Sequence, residues 1–255
     1  MTLTLTPLPG IPLIHPGDDL GEIIVESLRR AGISLQDGDI LVLAQKIVSK
    51  AEGRLVNLLT VQPSPRAVEL GEITEKDPRL IELILRESRC VLRTRPGTII
   101  VEHRLGFVCA NAGIDHSNVA GEGEEIEDLV ALLPDDPDAS AGRIRRRLEN
   151  AHDARIGVMI IDSHGRAWRL GTVGVAIGFS GMPGLVDLRG RPDLFGFNLR
   201  ITQVGAADEL AAAASLVMGQ ADECTPVIHV RGFPYLLREA ELSELIRPHD
   251  QDLFR

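Results

Sequence analysis

A polar turn after a strand-like run is the first place in this chain where chemistry could occur. The apolar run 106–109 is followed by residues 111–118, which bring a carboxylate at Asp115 together with amide and hydroxyl groups. A second apolar run, 156–161, leads directly into Asp162. Mg²⁺ and Mn²⁺ prefer oxygen ligands such as carboxylates. Two strands that each end in an aspartate therefore predict two ligands converging on one ion, beside a phosphate.

A blander interpretation of the same residues stays open, because aspartate is also a very common turn and cap residue. Ser117 and Ser163 add hydroxyl oxygens to the candidate oxygen ligands for the metal ion. His116 and His164 follow closely, but no HxxxH spacing or cysteine partner supports zinc. A serine hydrolase is also disfavoured, since the chain has no GxSxG motif.

Three further segments could bind an anion. Residues 45–50 follow an apolar strand and carry two lysines, which can neutralise phosphate oxygens, although the P-loop pattern is absent and a solvated helix start explains them equally well. Residues 218–226 lie between a predicted helix and a predicted strand, with Gly219 as the helix C-cap or with the whole segment as a polar connector. Arg143, Arg145, Arg146 and Arg147 favour surface ion pairs over substrate binding.

The elements that must position these groups form a mixed α/β pattern without a clean βαβ alternation. The predicted strands are 2–7, 40–44 (apolar on both faces and therefore central), 91–92, 98–102, 106–110 and 225–230. The predicted helices are 18–30, a region from Ser64, then 78–88, 140–150 and 208–218. An acidic connection is expected over 121–138, and glycine-rich irregular structure over 170–197.

Composition limits the classes of function. The chain has 255 residues, 44% of them hydrophobic, which suits one large domain or two interlocked ones. A net charge of -10 disfavours a nucleic-acid surface. Three widely spaced cysteines and no signal peptide or membrane-length apolar run predict a cytoplasmic protein without a membrane association.

The order of these motifs resembles one known family, the coenzyme F420-0:L-glutamate ligases. The similarity runs collinearly along nearly the whole chain and is carried by these segments: 10–14, 47–54, 111–119, 136–140, 162–169, 174–181, 190–194, 207–209 and 230–232. The chain ends soon after Arg231-Gly232, so the reductase-like C-terminal domain of some fused relatives is not expected. The resemblance implies a single ligase unit over 1–255, which could comprise two interlocked subdomains. It also implies a distinctive mixed α/β fold with mixed sheets and an intertwined homodimer.

The resemblance also assigns roles to residues. Asp115, Asp162 and Lys50 would be catalytic. The implied metal ligands are Asp115, Asp162, Ser163 (where the family usually has threonine) and Gln220. The implied nucleotide contacts are Ile11, Pro12, Leu13, Ile14, Gln45, Lys46, Lys50, Asn118, Met218, Gly219, Gln220, Ala221, Asp222, Glu223, Cys224 and Thr225. Gln45-Lys46 replaces more hydroxyl-rich residues of some relatives.

The implied activity is the GTP-dependent addition of L-glutamate to coenzyme F420-0 through γ-linked amide bonds. An acyl phosphate would form and then react with glutamate, with Mg²⁺ or Mn²⁺ as cofactor and a requirement for K⁺ left open. Three rivals remain: a ligase of the same scaffold with another acceptor carboxylate, a non-catalytic protein that binds nucleotide or F420, and a metal-dependent phosphohydrolase.

Overall fold

The computed structural model describes residues 2–119 and 128–253. The strands, in chain order, are β1 (Thr4–Pro7), β2 (Ile40–Ala44), β3 (Leu55–Asn57), β4 (Ser88–Arg95), β5 (Thr98–His103), β6 (Val108–Ala110), β7 (Leu129–Ala131), β8 (Gly157–Gly165), β9 (Thr172–Ser180), β10 (Val186–Asp187), β11 (Gln203–Val204) and β12 (Val227–Arg231). The α-helices are α1 (Leu20–Ala31), α2 (Gln45–Ala51), α3 (Pro65–Thr74), α4 (Pro78–Arg86), α5 (Pro137–His152) and α6 (Ala206–Met218).

A five-stranded sheet of order β1-β12-β2-β8-β9 organises the larger part of the molecule. Strand β2 pairs in parallel with β8 and antiparallel with β12. The first four residues of β2 are buried, which confirms the prediction that this uniformly apolar run is a central strand.

Alternate side chains of the sheet feed two apolar layers, because successive residues of a strand point to opposite faces. Leu41, Leu43 and Val158 pack with α1 and α5 on one face. Ile40, Val42 and Met159 pack with α6 on the other. Helix α1 begins at its predicted cap, where Asp19 accepts a hydrogen bond from the backbone of Glu22.

A second apolar core lies under the three-stranded sheet β4-β5-β6. Helices α3 and α4 pack there through residues such as Leu70 and Ile81, and Phe107 contacts both this core and the α1/α5 layer. Helix α3 is capped by Ser64 and helix α4 by Asp77. Each cap side chain accepts a hydrogen bond from a backbone N–H in the first turn of its helix. The predicted mixed α/β class is confirmed, while the division into interlocked subdomains stays a prediction. No helix within the described ranges is long and apolar enough to cross a membrane.

Two predictions about elements are wrong in part. The stretch 170–197 is not irregular throughout, because residues 172–180 form the edge strand β9 of the main sheet. Within the predicted connection 121–138, residues 121–127 lie outside the described residues, but 129–131 form β7 and α5 already begins at Pro137 with Asp136 as its cap. Proline suits a first helical turn because its missing N–H would have no partner there.

The glycines of β9, which made this stretch of the sequence look irregular, allow the strand to pack closely against two helices. A Cβ at Gly178 would lie 2.3 Å from Pro137 Cβ and 2.6 Å from Pro137 C, and one at Gly174 would lie 2.5 Å from Ser215 Cβ. Helices α5 and α6 therefore approach β9 closely at positions where any side chain would clash. Glycine in a strand often marks such a close backbone approach.

We expect Gly178→Ala to lower the free energy of unfolding by about 1 to 3 kcal/mol, since overpacking forces backbone shifts. Gly165→Ala is the matched control, because a Cβ at that strand position meets nothing within 4 Å. Urea denaturation of the two variants beside the wild type measures the difference. Equal midpoints for both variants would contradict the close-packing explanation.

Candidate active site

The candidate site begins where the parallel pair β2/β8 ends. Ala44, the last residue of β2, pairs with Ile161 of β8, and α2 starts at once with Gln45. Asp162 follows Ile161, so these neighbours in the sheet bring Gln45, Lys46 and Asp162 to one edge. One detail of the prediction is wrong, because Asp162 does not end its strand: β8 continues to Gly165.

Asp115 reaches the same edge from the second core. Its backbone exchanges two hydrogen bonds with Ala131, at 3.0 and 2.9 Å, beside β7. The turn before it is strained, since Asn111 and Ala112 both have left-handed backbone (φ 53° and 54°). Gly113 continues the turn with φ 66°, and a Cβ there would lie 2.8 Å from Leu133 Cδ1. Strained backbone persists only where the surrounding structure maintains it, and it is found most often at functional sites.

The Asp115 carboxylate is held through its Oδ2 atom. Gln45 Nε2 donates to this oxygen at 2.9 Å, and Lys46 Nζ lies 3.2 Å from it. Lys46 Nζ also donates to Ser117 Oγ at 3.2 Å. Burial raises the pKa of Asp115, and the negative charge of Asp162 raises it further, while Lys46 and Gln45 act in the opposite direction. The two aspartates are thus close enough to repel each other.

The amide of Gln45 has a fixed orientation. Ser49, one turn later on α2, donates to Gln45 Oε1 at 2.8 Å, so Nε2 must face Asp115. Gln45 is 2% exposed and Ser49 is fully buried. These contacts make Gln45 a positioning residue for Asp115, and its role as a nucleotide contact stays a prediction.

The rings of His103, Phe107 and His164 contact one another in sequence, from the second core to Asp162. His103 stacks on Phe107 with centroids 5.1 Å apart, and Phe107 meets His164 at 5.2 Å. His164 Nε2 lies 3.0 Å from Asp162 Oδ2, although the contact has poor hydrogen-bond geometry. Asp162 also acts on Cys109. Burial is the main cause that raises the pKa of the Cys109 thiol to about 12, and the negative charge of Asp162 is the second cause.

Ser163 and Gln220 form a separate pair. Ser163 Oγ donates to Gln220 Oε1 at 2.8 Å, and Gln220 Nε2 donates to Ser215 Oγ of α6 at 3.0 Å. Strand alternation places the side chains of Asp162 and Ser163 on opposite faces of β8. The four predicted metal ligands thus fall into two groups: Asp115 and Asp162, whose charges interact, and the hydrogen-bonded pair of Ser163 and Gln220.

The loop 218–225 contacts the polar turn. Asn118, itself in left-handed conformation, donates from Nδ2 to the carbonyl of Ala221 at 3.1 Å. The loop is braced internally, since Thr225 Oγ1 donates to Met218 O and the Glu223 carboxylate accepts from Ala221 N. Gly219 caps α6 as predicted. Two segments that the sequence separates by about a hundred residues therefore belong to one site.

The remaining predicted residues have simpler positions. In the segment 11–14, Pro12 and Leu13 are exposed and Ile14 is buried. Lys50 lies in the last turn of α2, four residues after Lys46 and therefore on the same helix face. The arginines of α5 form ion pairs: Arg143 with Glu52, Arg145 with Glu149 and Glu239, and Arg147 with Glu22. The preference for surface ion pairs is confirmed for these three.

A hard divalent cation fits Asp115 and Asp162. The donors are all oxygens, and the cation would offset the burial and, secondly, the repulsion from Asp162 that raise the pKa of Asp115. Among residues 2–119 and 128–253, no three or more histidine, cysteine, aspartate or glutamate side chains gather as a metal cluster. Two carboxylates supplemented by substrate phosphates are nonetheless a common arrangement for Mg²⁺.

The sequence did not predict the contacts that several further residues make with the candidate ligands. Ser49 could have been found, because it stands four residues after Gln45 on a helix. His164 stands two residues after Asp162 and so on the same strand face. Ser215 and Ala131 gave no local signal, because only the tertiary fold brings them to their partners.

The fold and the site together define a mixed α/β protein with a carboxylate pair, two lysines and a braced loop at the end of parallel strands. The chain belongs to the F420-0:Gamma-glutamyl ligase family, whose model matches residues 10–232.

Curated relatives match along the whole chain. The coenzyme F420:L-glutamate ligase of Methanothermobacter thermautotrophicus is 46% identical, with 100% of both chains covered. The protein of that name from Methanopyrus kandleri is 47% identical over 100% of this chain and 98% of its own. The Archaeoglobus fulgidus protein of that name is 40% identical over 100% of this chain and 97% of its own. The family resemblance predicted from the sequence is confirmed.

Proposed function

We propose that this protein is a ligase that joins L-glutamate to coenzyme F420-0 through a γ-linked amide bond, with GTP as the energy source. One observation carries the proposal: Asp115, Asp162, Lys46 and the loop 218–225 converge on one edge of the sheet. They do so in a chain matched end to end by relatives named coenzyme F420:L-glutamate ligase.

Two group transfers account for the product. A carboxylate oxygen of F420-0 attacks the γ-phosphorus of GTP, the bond to the β-phosphate oxygen breaks, and GDP leaves. The glutamate amine then attacks the carbonyl carbon of the acyl phosphate, the carbon–oxygen bond to phosphate breaks, and the amine proton passes to solvent. Activation is needed because a carboxylate itself has no good leaving group.

The residues divide this work by charge. Asp115 and Asp162 would hold Mg²⁺ or Mn²⁺, and Ser163 and Gln220 would offer oxygen donors on the opposite face of β8. A cation held there would offset the negative charge that develops on the phosphoryl group during transfer. Lys46 and Lys50 share a face of α2 and bind phosphate oxygens. The segment 11–14, Asn118 and the loop 218–225 enclose the nucleotide, and Gln45 keeps Asp115 oriented.

We also propose a homodimer, on the basis of exposed apolar side chains in the segment 168–201. Leu194 and Phe195 are 97% and 95% exposed, and Leu170 is 98% exposed. Clustered exposed apolar residues commonly mark an interaction surface. Light scattering should give a mass near twice that of the chain, and a mass near 27.7 kDa would contradict the dimer.

The assay for function combines purified protein, F420-0, L-glutamate, GTP and Mn²⁺. Mass spectrometry should find F420-0 lengthened by one or more glutamates, with GDP release that depends on glutamate. Substituting ATP tests the nucleotide, and replacing Na⁺ by K⁺ tests a monovalent-ion requirement.

Each failure in this assay has its own meaning. No increase in mass refutes the proposed ligase, and GDP release without glutamate indicates a phosphohydrolase. Glutamate addition to another acceptor, but not to F420-0, points to a ligase of the same scaffold with a different substrate.

A further inference from the structure

The contact between Lys46 and Asp115 points to a regulatory role that rests on the proposed metal and nucleotide sites. We propose that Lys46 is a built-in counter-ion of Asp115, which leaves the carboxylate for a nucleotide phosphate and thereby makes divalent-metal binding depend on the nucleotide. The protein would then hold little metal until GTP or GDP arrives.

The first support is geometric. Lys46 Nζ lies 3.2 Å from Asp115 Oδ2, so the ammonium occupies the immediate neighbourhood of a predicted metal ligand. Its other contact, with Ser117 Oγ at 3.2 Å, is to a neutral group of the same turn. The Lys46 side chain is 27% exposed, so the ammonium makes both contacts while it stays accessible to solvent.

The second support is the contrast with Gln45, which contacts the same oxygen. Gln45 is buried, and Ser49 fixes its amide, so it keeps Asp115 oriented whichever way Lys46 points. Lysine, in contrast, carries a point charge on a flexible four-carbon stem. Asp115 therefore has one permanent partner and one that can move away without disordering the carboxylate.

The third support is the balance of charge. Asp115 and Asp162 bring two negative charges to this edge, and Lys46 cancels one of them before any cation arrives. A divalent cation must then bind against the repulsion of the ammonium. Nucleotide phosphates offer the ammonium stronger partners, and its departure restores the full attraction of the two aspartates for the metal. By linkage, metal and nucleotide would promote each other's binding.

The test measures Mn²⁺ affinity directly, by electron paramagnetic resonance of free Mn²⁺, for the whole protein with and without GDP. Lys46→Met keeps the length of the side chain and removes its charge. Lys76→Met is the matched control, because Lys76 is half-exposed and follows α3, a helix that packs on the second core and contributes no residue to the candidate site. Mn²⁺ bound by GDP in buffer alone is subtracted.

Without GDP, Lys46→Met should bind Mn²⁺ roughly tenfold more tightly than the wild type, as expected for loss of one partly exposed charge. With GDP, the difference should vanish or reverse, and Lys76→Met should match the wild type throughout.

Equal Mn²⁺ affinities of wild type and Lys46→Met without GDP would overturn the proposal, as would an undiminished difference with GDP. If neither protein binds Mn²⁺ even with GDP, the metal assignment fails together with this inference. The ligase proposal is judged separately, by whether the wild type adds glutamate to F420-0.

Discussion

Asp115→Asn should lower the rate of glutamate addition by about a thousandfold or more while leaving the fold intact. The amide has nearly the shape of the carboxylate but no charge, so the proposed cation loses one of its two anionic ligands. Loss of electrostatic stabilisation worth several kcal/mol corresponds to a rate effect of this order. Mass spectrometry of the lengthened product under saturating GTP and Mn²⁺ measures it.

The fold should tolerate this change for a reason visible in the site. Burial and Asp162 both penalise the charge of Asp115, as the raised pKa indicates, so a neutral side chain removes a repulsion as well as the pair with Lys46. We therefore expect the free energy of unfolding to stay within about 1 kcal/mol of the wild type.

Asp153→Asn is the matched control for Asp115→Asn. Asp153 is exposed, ends α5 in left-handed conformation, and can be replaced by asparagine, which tolerates that backbone. Its activity should equal that of the wild type. Near-normal activity of Asp115→Asn would mean that Asp115 is not a metal ligand.

The sequence predicted elements wherever a local pattern carried the information. Strand β2 was recognised because its five residues are apolar without interruption, and α1 because Asp19 precedes its helical stripe. Strand β9 was missed because the glycines that admit α5 and α6 also imitate a loop. That conflict is physical, since a close approach between elements is a tertiary requirement that erases the local strand pattern.

The candidate site, too, could be predicted only where a local pattern in the sequence marked its residues. Asp115 and Asp162 were identified from polar residues at the ends of apolar runs, which is a local signal. Their contacts were not, because Gln45 and Asp115 are 70 positions apart and meet only where Asp115, bridged to Ala131 of β7, reaches the end of β2. The opposite facing of Asp162 and Ser163 did follow from strand alternation, once residues 157–165 were known to be a strand.

The largest stability effect is expected at Asp39, which ties β2 to β12 at the end of the sheet opposite Ala44. Asp39 is 1% exposed, and its carboxylate accepts from Arg231 at 2.7 and 2.9 Å. His229 Nε2 lies 2.9 Å from it, and the backbone of Gln36 donates to it at 2.9 Å. Asp39→Ala should lower the free energy of unfolding by about 3 kcal/mol, because it leaves the buried His229 and the partly exposed Arg231 without their anion.

Asp37→Ala is the control for this substitution. Asp37 is exposed in the same turn, and its side chain accepts one backbone hydrogen bond from Arg155. Its loss should cost about 1 kcal/mol. Similar denaturation midpoints for Asp37→Ala and Asp39→Ala would contradict a structural role of the buried cluster.

The pH dependence of stability separates the charge of Asp39 from its packing. Burial alone would raise the pKa of Asp39, but hydrogen bonds from Arg231, His229 and the backbone of Gln36 lower it to about 2. Because the folded pKa lies below the unfolded value near 3.9, the ionised carboxylate stabilises the fold above pH 4. That contribution, of order 2 kcal/mol, is lost as the pH falls from about 4 to 2. The stability difference between wild type and Asp39→Ala should therefore shrink across this interval, whereas a difference independent of pH would mean that Asp39 acts through packing alone.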